Sequence, residues 1–120
     1  MKTSLFLLAF ALVAGGCAYR DAQMWHDDTA KALQTKQNDI QACYDGVLKT
    51  NPTAAGKVTV TFEVETENAT ITNVAVDQAA TTAPEPVTEC VTRNIAGVAV
   101  PPPDKRVGQA TWTFDFAPQS

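Results

Sequence analysis

Basic residues, histidine and long apolar runs are all scarce in this sequence. Its 120 residues include nine Lys and Arg against thirteen Asp and Glu, and His26 is the single histidine. Nucleic-acid binding depends on basic patches that contact phosphates, so the composition argues against a nucleic-acid partner. One histidine also argues against a catalytic zinc site, which usually has three protein ligands. The apolar run at residues 5–13 is shorter than the roughly 20 residues that a membrane-spanning helix needs.

The start of the chain has the order of a secretory signal peptide. Lys2 gives one positive charge, an apolar run follows, and small residues at 14–16 precede Cys17. The string VAGGC resembles the bacterial lipobox, which directs acylation of its cysteine. We therefore expect residues 1–16 to be a lipoprotein signal peptide and Cys17 to be the lipidated first residue of the mature chain. The alternatives are ordinary cleavage nearby, which leaves Cys17 as a free thiol, and an uncleaved N-terminal anchor.

The expected location follows from the same segment. Ala18 follows Cys17, whereas some Gram-negative bacteria use Asp at that position to retain lipoproteins in the inner membrane. We expect anchoring on the periplasmic side of the outer membrane, with inner-membrane attachment as the less favoured choice. The mature chain carries eight basic and thirteen acidic residues, a net charge of −5, so the acyl chains must supply the membrane attachment.

Cys43 and Cys90 remain as a pair once Cys17 is assigned to the lipid. In an exported protein such a pair predicts a disulfide. The closed loop of roughly 48 residues corresponds to about 4 kcal/mol of chain entropy. A metal or redox pair is the alternative, although the chain has no CxxC spacing.

Helical and strand periodicities divide the rest of the chain. Apolar residues at spacings of three and four predict one helix from about residue 28 to residue 49, capped by the acidic segment 27–29 and stopped at Asn51-Pro52. A second helix opens at Pro84 and ends at Gly97. The prolines at 101–103 predict an extended connector.

Three segments alternate as strands do. Val58 to Val64 predicts a half-buried strand, and a polar turn at residues 66–69 leads into a second strand with a bulge around Asn73. Aromatic residues alternate in a last strand near the C-terminus, at Trp112, Phe114 and Phe116. We predict an α+β fold of order α-β-β-α-β, in which two helices cover one face of a three-stranded antiparallel sheet. Residues 17–27 are expected to be a lipid-attached tether and residues 28–118 the domain.

Several of these segments resemble the AgmX/PglI C-terminal domain, a TonB C-terminal-like module of bacterial envelope proteins. The resemblance covers about residues 37–117, and it is carried by Cys43-Tyr44, the stretch NPTAAGKV at 51–58, Cys90-Val91 and the aromatic last strand. The turn at residues 66–69 and the end of the second helix depart from the family pattern. The resemblance implies that a partner peptide is bound by strand addition to a free sheet edge.

Candidate catalytic groups have simpler explanations. The cluster His26-Asp27-Asp28 is interpreted as a helix start rather than a metal or acid/base site. Glu63, Glu65 and Glu67 are interpreted as the solvated face of a strand. Neither Cys43 nor Cys90 has a histidine or basic residue nearby in sequence that would activate it.

These interpretations lead to one functional expectation. We predict no catalytic, cofactor-binding or metal residues, no cofactor, and no enzymatic activity. The expected function is a lipid-anchored envelope module that binds a protein or peptide, as an accessory to a motility, transport or surface-assembly complex. A structural or inhibitory periplasmic lipoprotein is the alternative.

Overall fold

A computed structural model describes residues 20–118 as an α+β domain. A short 3-10 helix lies between the second strand and the last helix, at Gln78–Ala80. In chain order the main elements are α1 (Ala22–Gln34), α2 (Gln37–Thr50), β1 (Gly56–Val64), β2 (Ile71–Val76), α3 (Glu85–Ile95) and β3 (Gly108–Phe116).

The segment predicted as one helix over residues 28–49 forms two helices, so that prediction and the order α-β-β-α-β were wrong. At the end of α1 the N–H groups of Thr35 and Lys36 donate to carbonyls three residues back. Such bonds tighten the last turn and interrupt the α-helical hydrogen bonding. Lys36, which also interrupts the apolar stripe of the sequence, then has non-helical dihedrals of −107° and 2°.

Helix α1 starts at Ala22, earlier than predicted, because Asp21 caps it. The Asp21 carboxylate accepts the N–H of Met24 at 2.8 Å, which satisfies one of the free donors of the first turn. Asp27, Asp28 and Thr29 lie inside the helix. Their prediction as a helix start was therefore wrong.

The sheet has the strand order β2-β1-β3, and both pairings are antiparallel. β3 pairs with β1 without interruption over nine residues, whereas the β1–β2 register shifts between Thr61 and Glu63. The extra residue on β2 lies at Asn73, whose φ of 54° is in the left-handed region. This confirms the predicted bulge.

The turn between β1 and β2 is confirmed at residues 66–68, and the next residue, Ala69, has a left-handed φ of 58°. The Glu65 carboxylate accepts the Asn68 N–H at 2.6 Å and the Thr70 hydroxyl at 3.2 Å. The bond from the Asn68 N–H is the main reason that the pKa of Glu65 is lowered. The Ala69 methyl is buried, so the small side chain fits here.

The core lies between one face of the sheet and the helices. The alternate residues of β1 that face the core are at most 3 % exposed. Residues from α1, α2 and α3 pack against them, as the alternation of β1 predicts. The main buried side chains are Leu33, Ile40, Tyr44, Val58, Val60, Phe62, Val64, Val87, Val91 and Ile95.

Helix α3 has the predicted boundaries, since Pro84 precedes it and Gly97, with φ of 84°, follows its end. The connector to β3 differs from prediction. The chain bends at Pro101 and Pro102 instead of running straight, and this bend brings the connector to the start of α1.

Candidate functional site

The predicted disulfide is confirmed. Cys43 on α2 and Cys90 on α3 are bonded, with their Cα atoms 5.6 Å apart and 47 residues of sequence separation. Cys90 is fully buried. Arg93 follows Cys90 by three residues, and its guanidinium lies 3.2 Å from the Cys43 sulfur, so the expectation that neither cysteine has a basic residue nearby was wrong. The bond holds the two helices side by side over the sheet.

The outer edge of β3 carries main-chain groups that β1 does not use. The Asp77 N–H donates to the Thr59 carbonyl and the Thr59 N–H donates to Thr81, so the main-chain groups of Thr59 face the β2 side. Directions alternate along a strand, so Val60 faces β3, and its partner Trp112 faces β1. The N–H and C=O groups that point outward are those of Gln109, Thr111, Thr113 and Asp115.

No strand of the described part of the chain pairs with this outer edge of β3. β3 is nine residues long and has a regular register with β1 throughout. The exposed edges of β-sheets are usually protected from pairing with another chain by short strands, bulges or covering loops. β3 has neither a short length nor a bulge, so its outer edge lacks two of these protections.

An open groove of about 340 Å³ runs beside β3, between the strand and helices α1 and α2. Apolar side chains from all three elements form its floor, and the glutamines of α1 and α2 form a polar rim. The half-buried aromatic residues of β3 belong to this groove, so the strand predicted from their alternation contributes both to the core and to the groove. The lining residues are Ala30, Leu33, Gln34, Gln37, Ile40, Gln41, Trp112, Phe114, Asp115 and Phe116.

The other edge of the sheet is protected. β2 has six residues and contains the bulge at Asn73. Its first residue, Ile71, exchanges main-chain hydrogen bonds with Gly97 and Val98 after α3, at 2.9 Å each. A bulge and a covering segment both oppose pairing with another chain, so the two edges differ in availability.

A buried ionic cluster joins the start of α1 to the connector before β3. The N–H of Arg20 donates to Asp104 at 2.8 Å, and its guanidinium donates to Asp28 at 2.7 Å and to the Pro102 carbonyl at 2.6 Å. The same guanidinium lies 3.7 Å from the ring centroid of Trp25, a cation–π contact. Arg20 is only 5 % exposed.

Asp104 is the anionic centre of this cluster and is 6 % exposed. Burial raises the pKa of its carboxyl, but hydrogen bonds from the Arg106 and Arg20 N–H groups and the charges of both arginines outweigh burial. The pKa therefore lies below its ordinary value. The Asp104 carboxylate is thus charged, and its partners are the two arginines of this cluster.

The sequence-based predictions did not include Arg20, Trp25 or Asp104. The participation of Trp25 could have been predicted from the sequence. Trp25, Thr29 and Leu33 recur at a helical spacing that extends the first helix towards the N-terminus. Asp104 gave no such signal, since its partner lies 84 residues away in sequence.

The two acidic clusters of the sequence do not form sites. The ring of His26 stacks on Trp112 with centroids 5.1 Å apart, Asp27 accepts a hydrogen bond from Gln23, and Asp28 pairs with Arg20. His26 Nδ1 also lies 3.6 Å from Asp27 Oδ1, whereas Asp28 contacts Arg20 instead.

The predicted row of carboxylates on one strand face was wrong, because β1 ends at Val64. Glu63 is in the strand and accepts a hydrogen bond from Asn73 at 2.8 Å, whereas Glu65 folds over the turn that contains Glu67.

Cys17 and the predicted signal peptide lie outside the described residues. Within residues 20–118, no helix combines the length and apolar character needed to cross a bilayer. The same part of the chain contains no group of three or more His, Cys, Asp or Glu side chains placed to hold a metal ion.

Comparisons with family models, curated proteins and solved structures found no match to this chain.

Proposed function

We propose that this protein is a non-enzymatic, lipid-anchored envelope module that binds an extended segment of a protein partner at the outer edge of β3. The observation that carries the proposal is the combination of a regular nine-residue edge with an adjoining apolar groove. Unpaired main-chain groups of an edge supply affinity in strand addition, and pockets for alternate side chains supply specificity.

The geometry of an added strand supports this mode. Adjacent strands lie about 4.8 Å apart, and alternate side chains point to opposite faces. A segment paired with β3 would place every second side chain beside Trp112 and Phe114, over the groove. Its other side chains would join the polar face that contains Thr111 and Thr113. We infer that the preferred partner segment alternates apolar and polar residues.

The resemblance to the TonB C-terminal-like module AgmX/PglI supports the same mode, and we propose that relationship for the domain. Lipid on Cys17 would hold the module on the periplasmic side of the outer membrane. The proposed process is accessory work in a motility, transport or surface-assembly complex.

The test substitutes an outward-facing residue of β3. Thr111→Pro removes the outward N–H of residue 111. It does not remove the main-chain groups of Ala110 and Trp112 that bond to β1. A random library of ten-residue peptides, displayed and selected on the wild-type protein, supplies the probe. Loss of one main-chain hydrogen bond and distortion of the edge should weaken the selected peptides about tenfold or more, since tenfold corresponds to about 1.4 kcal/mol.

Thr111→Val is the matched control, because it keeps the N–H and the β-branched shape. Its affinity for the selected peptides should equal that of the wild type. Amide hydrogen exchange on the wild-type complex adds an independent measurement, in which the Thr111 and Thr113 amides should become protected. Peptides that bind Thr111→Pro as tightly as the wild type would rule out strand addition at β3.

A further inference from the structure

We propose that the domain rests on the bilayer through the end that carries Arg20, Met24 and residues 105–107. This inference depends on the proposed lipid attachment at Cys17. It adds a second interaction surface, whose partner is the headgroup region of the membrane that holds the lipid.

Arg20 is fixed to the body of the domain. Its main-chain N–H donates to Asp104, and its guanidinium reaches Asp28 and two carbonyls of the connector, those of Val100 and Pro102. The side chain is 3 % exposed. Arg20 is therefore part of the folded body of the domain.

Few residues lie between the proposed lipid attachment and Arg20. Ala18 and Tyr19 alone separate Cys17 from Arg20. Three Cα–Cα steps of about 3.8 Å span at most about 11 Å. The headgroup layer on each side of a bilayer is itself roughly 5–8 Å thick. A lipid on Cys17 would therefore hold this end of the domain at the headgroup surface.

This end of the domain exposes large apolar side chains. Met24 and Val107 are the two large apolar side chains with high exposure among residues 20–118, at 44 % and 50 %. Their chain neighbours Trp25 and Gly108 pack against each other, since a Cβ on Gly108 would lie 2.5 Å from the Trp25 ring. Both apolar side chains thus belong to the same end of the domain.

Charge at this end also suits a phosphate-rich surface. Lys105 is exposed, and the Arg106 side chain is 59 % exposed while it contacts the Arg20 carbonyl and Asp104. The nearby carboxylates Asp28 and Asp104 are paired with Arg20. The exposed carboxylates here are the cap Asp21 and Asp27, whose Oδ1 lies 3.6 Å from His26 Nδ1. The mature chain as a whole has an acidic excess, so cations at the membrane end favour this orientation over its reverse.

The test uses the full lipidated protein in vesicles of phosphatidylethanolamine and phosphatidylglycerol. A fluorophore is attached to the new thiol of V107C or M24C, with Cys43 and Cys90 oxidised, and a nitroxide on the lipid headgroup serves as quencher. T53C is the control, because residue 53 lies beyond α2, towards the Phe116 end of β3, where the Tyr44 ring packs on Phe116. Quenching should be several-fold stronger at positions 107 and 24 than at position 53.

Equal quenching at both ends, or stronger quenching at position 53, would overturn the proposal. The substitution K105E, compared with the equal charge change K49E on α2, tests the surface itself: only K105E should reduce quenching at position 107. Equal effects of the two substitutions would refute a direct contact of this end with headgroups.

Failure of the proposed function gives different results. A protein that does not float with the vesicles lacks the Cys17 lipid, and this overturns the anchor and the present inference together. A protein that floats and shows the expected quenching, but binds no peptide at β3, would refute strand addition and leave the membrane surface intact.

Discussion

At the scale of single residues, Asp104 carries a large share of the stability of the N-terminal end. Its carboxylate accepts the N–H groups of Arg20 and Arg106 and balances the buried Arg20 guanidinium. In Asp104→Asn that charge is lost, and a buried arginine is left undercompensated. We expect a loss of about 3 kcal/mol in the free energy of unfolding at neutral pH, measured in urea.

The exposed residue Asp115 supplies the control, and Asp115→Asn should change stability by less than about 0.5 kcal/mol. The pH dependence has a defined sign. Because the pKa of Asp104 is lowered in the folded state, its contribution is complete above the ordinary carboxyl pKa and is lost as the pH falls through the folded value. The difference between wild type and Asp104→Asn should therefore shrink in acid. A constant difference would contradict the assignment.

Tyr44 is the second informative residue, because its hydroxyl is buried and donates to the Ala54 carbonyl. In Tyr44→Phe that carbonyl loses its partner inside the core. The expected cost is about 1–3 kcal/mol of unfolding free energy. Thr50→Val, which removes an exposed hydroxyl bond on the same helix, should cost much less.

Alkaline pH gives Tyr44 a separate signature. Burial, and then the charge of Asp45, raise the pKa of the Tyr44 phenol. The contribution of the neutral phenol is therefore complete below its ordinary pKa and is lost as the pH rises through the folded value. Urea unfolding at rising pH should show this loss in the wild type, while Tyr44→Phe lacks it. Parallel pH curves would exclude the role of this hydroxyl.

At the scale of elements, the disulfide fixes α2 against α3. Cys43 and Cys90 were predicted to form a disulfide, and the bond confirms this. Reduction should lower the unfolding free energy by about 4 kcal/mol through chain entropy. Urea titrations with and without reductant measure the change. The double variant Cys43→Ala, Cys90→Ala should show no response to reductant, and an equal response in both proteins would mean that reductant acts elsewhere.

Local sequence patterns predicted some features of the strands and helices but not others. Alternation in β1 and β3, the bulge at Asn73 and the stop at Gly97 were predictable, because each depends on neighbours in sequence. The break at Lys36 was not, since intrinsic helix preference there is compatible with continuation. The pairing order was not predictable either, because which strand lies in the middle of a sheet depends on contacts between distant segments.

At the scale of the whole molecule, the N-terminal boundary of the folded body is the main revision. A chain that starts at residue 28, the boundary expected from sequence, lacks Arg20 and Trp25 and leaves Asp104 buried without one of its donors. We expect it to be less stable than a chain starting at Ala18 by about 3 kcal/mol or more in urea unfolding. Equal stabilities would show that the segment before residue 28 adds nothing to the fold.

Sequence by itself determined the alternating strands and the helix stops, which depend on local periodicity. It also predicted the pairing of Cys43 with Cys90. Tertiary structure alone decided which sheet edge is open and where the folded body begins. The outward groups of β3 follow from a strand order set by long-range pairing. The Arg20–Asp104 contact joins residues 84 apart in sequence, and its strength comes from burial, which only the assembled fold provides.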